Sequence, residues 1–109
     1  MPPCLFCKIV ANEIPVTRLD EDEHSLAFAD LHPQAPTHLL LIPKAHFATV
    51  DAAPAEVLGP LLAKAGAIGR RDLPGGFRIV INTGDDGGQT VPHLHLHIVG
   101  GRPMGWPPG

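Results

Sequence analysis

The stretch that decides the fold is His93-Leu94-His95-Leu96-His97-Ile98-Val99, in which histidine and aliphatic residues alternate. Strict alternation with a period of two is typical of a β-strand that is buried on one face. Neighbouring side chains on one face of a strand lie about 6.6 Å apart. The stretch therefore predicts a strand over residues 93–99 whose histidines line one face while its aliphatic residues enter the core.

The histidines of this stretch allow three interpretations. They can simply fill an exposed strand face, or two of them can chelate a divalent metal and, with a third donor, form a hydrolytic centre. Alternatively, one imidazole attacks phosphorus, since it is largely neutral at pH 7 and its phosphorus adduct is labile. The preceding loop, Gly87-Gly88-Gln89-Thr90, offers backbone N–H groups, an amide and a hydroxyl to phosphate oxygens, which favours the third interpretation.

The bulk composition narrows the class of protein. A chain of 109 residues with 44% hydrophobic and 17% charged residues predicts a single domain over residues 1–109. A net charge of −3 provides no basic surface for a polymeric nucleic acid. Apolar runs are too short to cross a bilayer, and Met1-Pro2-Pro3-Cys4 lacks the basic flank of a secretory signal. We therefore expect a cytoplasmic protein that binds no polymeric nucleic acid and no membrane.

The first half of the chain predicts a short helix and three strands. Apolar residues at helical spacing over residues 5–14, followed by a proline, predict the helix. Residues 17–22 and 25–29 suit two strands of a hairpin joined by a tight connection. The continuous apolar run over residues 37–42 predicts a central strand.

The second half predicts one long helix and two further strands. The helix is expected over residues 53–71, with Asp51 as a candidate N-cap. Pro60 removes a backbone donor, so the helix either starts later or bends. Residues 77–82 predict a strand and residues 83–89 a polar, glycine-rich loop. The whole pattern predicts an α+β fold: a largely antiparallel sheet of about five strands, one long helix and a short N-terminal helix.

The cysteines form a C-x-x-C pair, Cys4 and Cys7, which indicates a metal site or a redox pair. A thioredoxin-like pair follows a strand and opens a long helix, and neither is predicted here. The position of the pair therefore favours a metal over redox chemistry.

The histidine run resembles the signature of the histidine triad (HIT) family, in particular its branch of nucleotide-binding proteins that act as purine nucleoside phosphoramidases. The similarity extends over nearly the whole chain, through residues 14–15, 27–30, 33–38, 42–44, 86–89, 100–102 and 106–109. The chain departs from close relatives at Thr90, where serine is common, at Pro92, where an aromatic residue is usual, and at His32. The resemblance implies the HIT-like fold.

The resemblance also implies an activity and a site. The activity is hydrolysis of purine nucleoside phosphoramidates, of the adenosine 5′-phosphoramidate type, or of acyl-adenylates to the nucleoside monophosphate, by a homodimer without an organic cofactor. His95 would be the nucleophile that forms a nucleotidyl-histidine, and His38 would orient it. Asp30, with Leu31 beside it, would contact the ribose. The base would lie against Leu5, Phe6, Ile9, Ile14 and Phe28. The phosphate would be held by Asn82, Gly88, Gln89, Thr90 and the segment from His95 to His97.

Some members of the wider family bind a structural zinc through the C-x-x-C pair and two histidines, which implies the ligands Cys4, Cys7, His46 and His97. If His97 binds zinc, it cannot donate a proton to the leaving group, and the general acid is unassigned. The resemblance also implies that residues 106–108 reach the partner's active site. Two other hypotheses remain: a scaffold in which the triad only binds a nucleotide, and a zinc-dependent hydrolase.

Overall fold

A computed structural model describes residues 4–109, so the segment Met1–Pro3, which entered the expectation about a secretory signal, lies outside the described residues. The helices are α1 (Leu5–Val10) and α2 (Ala55–Asp72), with a short 3-10 turn at Val50–Ala52. The strands are β1 (Arg18–Glu21), β2 (Ser25–Ala29), β3 (Thr37–Pro43), β4 (Phe77–Val80) and β5 (Leu96–Gly100). Neither α1 nor α2 is long and apolar enough to cross a membrane.

The five strands form one antiparallel sheet in the order β1-β2-β3-β5-β4, which confirms the predicted α+β fold. β3 is central, as its apolar run predicts. It pairs with β2 on one side and with β5 on the other, from Thr37 opposite Gly100 to Leu41 opposite Leu96.

A helix covers each face of the sheet. α2 packs Leu61, Ala65 and Ile68 against one face, and α1 packs Phe6 and Ile9 against the other. Alternate residues of β3 enter the two clusters, which explains why its sequence is apolar without alternation.

The helices differ from their predicted bounds at identifiable residues. α1 ends at Val10 rather than residue 14, because Asn12 adopts a left-handed conformation with φ of 62°. α2 starts at Ala55 and contains Pro60, so the later start is observed. Asp51 is not its N-cap, since the 3-10 turn holds Asp51 and Pro54 occupies the cap position.

The predicted strand over residues 93–99 begins only at Leu96. The segment from His93 to His95 lies outside the ladder. The expected alternation of buried and less buried residues is observed only within the strand, from Leu96 to Gly100. Similarly, β4 ends at Val80 rather than residue 82. At the end of the sheet where β4 finishes and β5 begins, both strands are therefore shorter than the sequence pattern predicts.

Candidate active site

The three triad histidines lie on the α1 side of the sheet. His97 is opposite Leu40 in the β3–β5 pairing, and directly opposed residues share a face. Leu40 belongs to the hydrophobic cluster that α1 covers. The ring of Phe6, from α1, contacts the ring of His95 edge-on with centroids 5.1 Å apart.

The protonation of His95 follows from a backbone contact. Its Nδ1 lies 2.7 Å from the carbonyl oxygen of His93. A carbonyl oxygen only accepts hydrogen bonds, so Nδ1 carries the proton and donates it, and Nε2 of the neutral ring keeps a free lone pair. Both residues are buried, at 5% exposure for His95 and 0% for His93. The fold thus directs Nε2 of His95, and not Nδ1, toward a substrate.

A second set of groups, which we call the relay cluster, consists of Asp30, His38 and His97. The backbone N–H of Gln34 donates to Nδ1 of His38 at 3.0 Å, so the proton of the neutral His38 ring is on Nε2. That Nε2 lies 2.8 Å from Nδ1 of His97 and 3.3 Å from a carboxylate oxygen of Asp30. His97 accepts through Nδ1 and therefore carries its own proton on Nε2, where it can be donated.

Burial favours the neutral form of two histidine rings, His97 and His93. Burial first, and then the neighbouring His95 and His38, lower the pKa of His97 to about 4. Burial also lowers the pKa of His93. At neutral pH, His97 is therefore a neutral hydrogen-bond donor and not an imidazolium.

The relay cluster brings three potential metal-ligand atoms within 4.8 Å of one another. A metal on Nε2 of His38 requires a lone pair at that nitrogen, and the neutral ring would then carry its proton on Nδ1. The backbone N–H of Gln34 already donates to Nδ1. The relay cluster is therefore built for hydrogen bonding and not for a metal.

A third set, the metal cluster, consists of Cys4, Cys7, His46 and His93, whose ligand atoms also lie within 4.8 Å of one another. Nδ1 of His93 is 3.4 Å from Sγ of Cys4 and 3.5 Å from Sγ of Cys7. Nδ1 of His46 is 3.3 Å from Sγ of Cys7 and 3.1 Å from Nδ1 of His93. A tetrahedral zinc site separates sulfur and nitrogen ligands by about 3.5 Å and two nitrogen ligands by about 3.3 Å, so these spacings fit zinc.

The chemistry of the metal cluster agrees with its spacing. Nε2 of His93 lies 2.9 Å from the carbonyl oxygen of Pro43, so Nε2 carries the proton and Nδ1 directs a lone pair at the cluster. Burial and the neighbouring Cys4 raise the pKa of the Cys7 thiol to about 11. Because zinc binds thiolates, a bound cation would be needed to hold Cys7 deprotonated at neutral pH.

The fourth member of the metal cluster is His93 and not His97, which corrects the ligand set implied by the resemblance. The two histidines are separated by the start of β5 at Leu96. Before that point, the chain turns His93 toward the first turn of α1, whereas the β3–β5 pairing holds His97 beside His38. Zinc ligation therefore does not prevent His97 from donating a proton to the leaving group.

The apolar residues expected around the base do not all lie together. Phe6, Ile9 and Phe28 are buried in the cluster under α1, and Ile14 packs at its edge. Leu5 is 46% exposed, outside that cluster. At the ribose position, Asp30 belongs to the relay cluster, and the neighbouring Leu31 is 83% exposed.

The residues expected around the phosphate form the loop before the triad. The amide of Asn82 donates to the carbonyl oxygen of Gly87 at 2.7 Å. The amide of Gln89 donates to Ala48 and Val91 carbonyl oxygens at 2.7 and 3.0 Å. Both amides thus shape the loop in this conformation. Gly88 has a φ of 82°, and Thr90 is exposed.

Two contributors to the site were not anticipated from the sequence: the backbone N–H of Gln34 and the carbonyl of Pro43. Main-chain groups leave no trace in residue type. No individual role was expected of His93, although one signal for its position was present. Pro92 directly precedes it and lacks a backbone N–H, which argues against a regular strand at that point.

Known proteins resemble this chain in sequence and in structure. The HIT domain model matches residues 11–104. The chain is 48% identical to the 14 kDa zinc-binding protein of Zea mays, over 98% of this chain and 88% of that protein. It is 47% identical to adenylylsulfatase HINT1 of Arabidopsis thaliana, over 98% of this chain and 77% of that protein.

Solved structures agree with these relatives. A HIT family hydrolase from Legionella pneumophila Philadelphia 1 has a TM-score of 0.93 at 48% identity, covering 98% of this chain and 100% of that one. A histidine triad nucleotide-binding protein from Candida albicans has a TM-score of 0.84 at 31% identity, covering 96% and 83%. The chain therefore belongs to the histidine triad family, in the branch that includes hydrolases and histidine triad nucleotide-binding proteins.

Proposed function

We propose that this protein hydrolyses purine nucleoside phosphoramidates, or acyl-adenylates, through a nucleotidyl intermediate on His95. The observation that carries the proposal is the 2.7 Å contact between Nδ1 of His95 and the carbonyl oxygen of His93. It leaves the lone pair of Nε2 free for attack in a ring that burial keeps in place. The proposed unit of function is one HIT domain over residues 1–109.

The reaction has two steps. Nε2 of His95 attacks the α-phosphorus and forms a nitrogen–phosphorus bond, while the bond from phosphorus to the leaving group breaks. A carboxylate leaves as the anion, and an amine leaves with a proton taken up from water. Water then cleaves the new bond and releases the nucleoside monophosphate. His97, which presents Nε2–H, donates a hydrogen bond to the charge that develops on the phosphoryl oxygens or the leaving atom. His38, which the resemblance implied would orient His95, makes its 2.8 Å contact with His97 and orients that ring instead.

The remaining contacts to the nucleotide are part of the same proposal. Asp30 binds the ribose hydroxyls, with Leu31 beside it, and the apolar residues under α1 hold the base. Gly88 and Thr90 lie in the loop before the triad and donate to the phosphate through a backbone N–H and a hydroxyl. The amides of Asn82 and Gln89 reach the phosphate only if the loop exchanges hydrogen bonds when the nucleotide binds.

We also propose a structural zinc in the metal cluster. The spacings, the tautomer of His93 and the zinc-binding relative from Zea mays support it. A zinc ion bound there would hold both thiols as thiolates and join α1 to the sheet. The cysteines bind metal only in the reduced form, which fits the proposed cytoplasmic location.

A homodimer completes the proposal. β4 is an edge strand of the sheet, and it lies beside α2. The outer surface of α2 carries Leu62, which is 52% exposed, between the small residues Gly59 and Gly66. A second copy placed against this surface and the β4 edge would cover both.

The direct test is to trap the intermediate. The protein is mixed with adenosine 5′-phosphoramidate, an acyl-adenylate or, in view of the Arabidopsis relative, adenylyl sulfate, quenched without acid and analysed by peptide mass spectrometry. We expect an adenylyl group on His95, and a loss of kcat of about 10⁴-fold or more in His95→Ala. His24→Ala is the matched control, because that side chain is 85% exposed and pairs with Glu23 and not with a triad residue.

Each alternative predicts a different result. Tight nucleotide binding without turnover of any substrate would indicate a scaffold. Turnover that survives in His95→Ala but is lost on chelation would indicate a zinc-dependent hydrolase. An adduct on a residue other than His95 would overturn the assignment of the nucleophile.

A further inference from the structure

His93 makes three contacts in three directions, and each involves a different group. Its Nδ1 faces the sulfur atoms of Cys4 and Cys7 at 3.4 and 3.5 Å. Its Nε2–H donates to the carbonyl oxygen of Pro43 at 2.9 Å. Its own carbonyl oxygen accepts the Nδ1–H of His95 at 2.7 Å. One buried residue thus belongs both to the metal cluster and to the environment of the nucleophile.

The contacts of the ring and of the carbonyl are mechanically linked. The ring is held at both nitrogens, which fixes the side-chain torsions of His93 relative to its backbone. The backbone is in turn held by the N–H of His93, which donates to the carbonyl oxygen of Val91 at 2.8 Å. If the metal cluster loses its ion, one of these restraints is lost, and the carbonyl that orients His95 gains freedom.

Phe6 supplies a second connection between the same two places. It lies in α1 between Cys4 and Cys7 in the sequence, and its ring contacts two of the three triad rings edge-on, at centroid distances of 5.8 Å to His93 and 5.1 Å to His95. α1 has only six residues and is marginal by itself. Burial of Phe6 and Ile9 and the guanidinium of Arg18 hold the helix against the sheet, and the contacts of Cys4 and Cys7 hold its first turn against the histidines.

We infer that His93 is a positioning residue that couples metal occupancy of its cluster to the tautomer and orientation of His95, so that zinc and a nucleoside monophosphate bind cooperatively. The inference rests on the proposed function only in that the monophosphate binds at His95. Coupling between two sites is reciprocal. Zinc must therefore strengthen nucleotide binding by the same factor by which the nucleotide strengthens zinc binding.

The test measures equilibrium binding and a spectroscopic signature. The dissociation constant of zinc is determined by competition with a chelator, with and without saturating adenosine monophosphate. Couplings of this kind are typically 5- to 150-fold, and we expect about a tenfold increase in zinc affinity. In parallel, ¹⁵N NMR at fixed pH reports the tautomer of His95. We expect one tautomer, with Nδ1 protonated, in the zinc-loaded protein and a mixture in the metal-free protein.

Two variants separate coupling from general damage. His46→Ala removes a ligand of the metal cluster that makes no hydrogen bond to His95, so its His95 spectrum should resemble that of the metal-free protein. His24→Ala should behave like the unaltered protein in both measurements. Near-UV circular dichroism checks that the fold is retained.

The outcomes distinguish this inference from the proposed function. Equal zinc affinities with and without the nucleotide, together with an unchanged His95 tautomer, would overturn the coupling even if His95 is the nucleophile. If the nucleotide does not bind, the proposed function fails, and the tautomer in the loaded and metal-free forms still decides the coupling. A zinc-dependent tautomer without any turnover would support the coupling alone.

Discussion

The metal cluster and the relay cluster lie on either side of His95, and both gather ligand-type atoms within 4.8 Å. They differ in the backbone group that contacts their buried histidine. In the metal cluster, a carbonyl takes the proton of His93 and leaves a lone pair facing inward. In the relay cluster, a backbone N–H occupies the lone pair of His38 and leaves an N–H facing inward. A single main-chain donor or acceptor thus decides whether histidines bind a cation or pass a hydrogen bond.

Of the changes that would test the difference between the two clusters, removal of zinc from the metal cluster should have the largest effect. Chelation of zinc should lower the free energy of unfolding by about 4 kcal/mol when zinc is present at a thousand times its dissociation constant. Urea unfolding of loaded and chelated protein measures this difference. The Cys4→Ser/Cys7→Ser double variant is the control, because its stability should not respond to the chelator. A chelator-insensitive unaltered protein would contradict the zinc site.

Breaking the relay cluster should affect activity and spare the metal. His97→Ala removes the N–H that faces the phosphate, and we expect kcat to fall about 10²- to 10³-fold. Zinc content, measured by mass spectrometry of the purified variant, should stay at one ion per chain. Loss of zinc in His97→Ala, with retention in His93→Ala, would restore the ligand set implied by the family resemblance.

The relay cluster should also make the stability of the protein sensitive to acid. In metal-free protein, His97 takes up a proton near its usual pKa of 6.5 when unfolded but only near a pKa of about 4 when folded. The unfolded chain therefore binds more protons between these values, so the free energy of unfolding falls as the pH drops from 6.5 to 4. The decrease is at most about 1.4 kcal/mol per pH unit for this group.

His97→Ala should make that pH dependence shallower, whereas His24→Ala should not change it. Urea titrations at several pH values with a chelator present provide the measurement. An equal slope in His97→Ala and in the unaltered protein would show that this ring is not the group responsible.

A change far from both clusters sets the baseline. Lys64 pairs with Asp20 and Asp22 at 3.1 Å on the surface between α2 and the hairpin. The neighbouring ammonium lowers the pKa of Asp20, and the carboxylates raise the pKa of Lys64. Exposed pairs contribute little, so Lys64→Ala should cost no more than about 1 kcal/mol. It should leave zinc content and kcat unchanged.

Local patterns in the sequence were sufficient to predict the sheet. A continuous apolar run identifies the central β3 because both faces are covered, and alternation identifies β5 because only one face enters the α2 side of the core. The start of β5 was harder to predict. Histidine and leucine already alternate over residues 93–95, although these residues do not pair with β3. His93 and His97 are equivalent in the pattern, yet only one lies in the ladder.

The residues of the candidate site could be predicted, but their assignment to the metal cluster or to the relay cluster could not. The cysteines and the triad are recognisable from residue type and spacing, whereas His38 and His46 were identified only through the family resemblance. Which triad histidine joins the cysteines depends on the carbonyl of Pro43, which is 50 positions from His93 in the sequence. The tautomer of His38 depends on an amide proton that every residue except proline possesses. Contacts of this kind are set by the tertiary fold.

Pro43, the last residue of β3, has a further consequence for redesign of the protein. Continuing the β3–β5 register beyond Leu41 and Leu96 would place Pro43 opposite Leu94, where the proline has no N–H to donate. The ladder stops short, and the carbonyls of Pro43 and His93 remain for side chains. A substitution that restored the missing donor could lengthen the sheet and stiffen the protein. The added ladder bond would compete with Nε2–H of His93 for the carbonyl of residue 43, so thermostabilised variants of this fold should be screened with Pro43 kept.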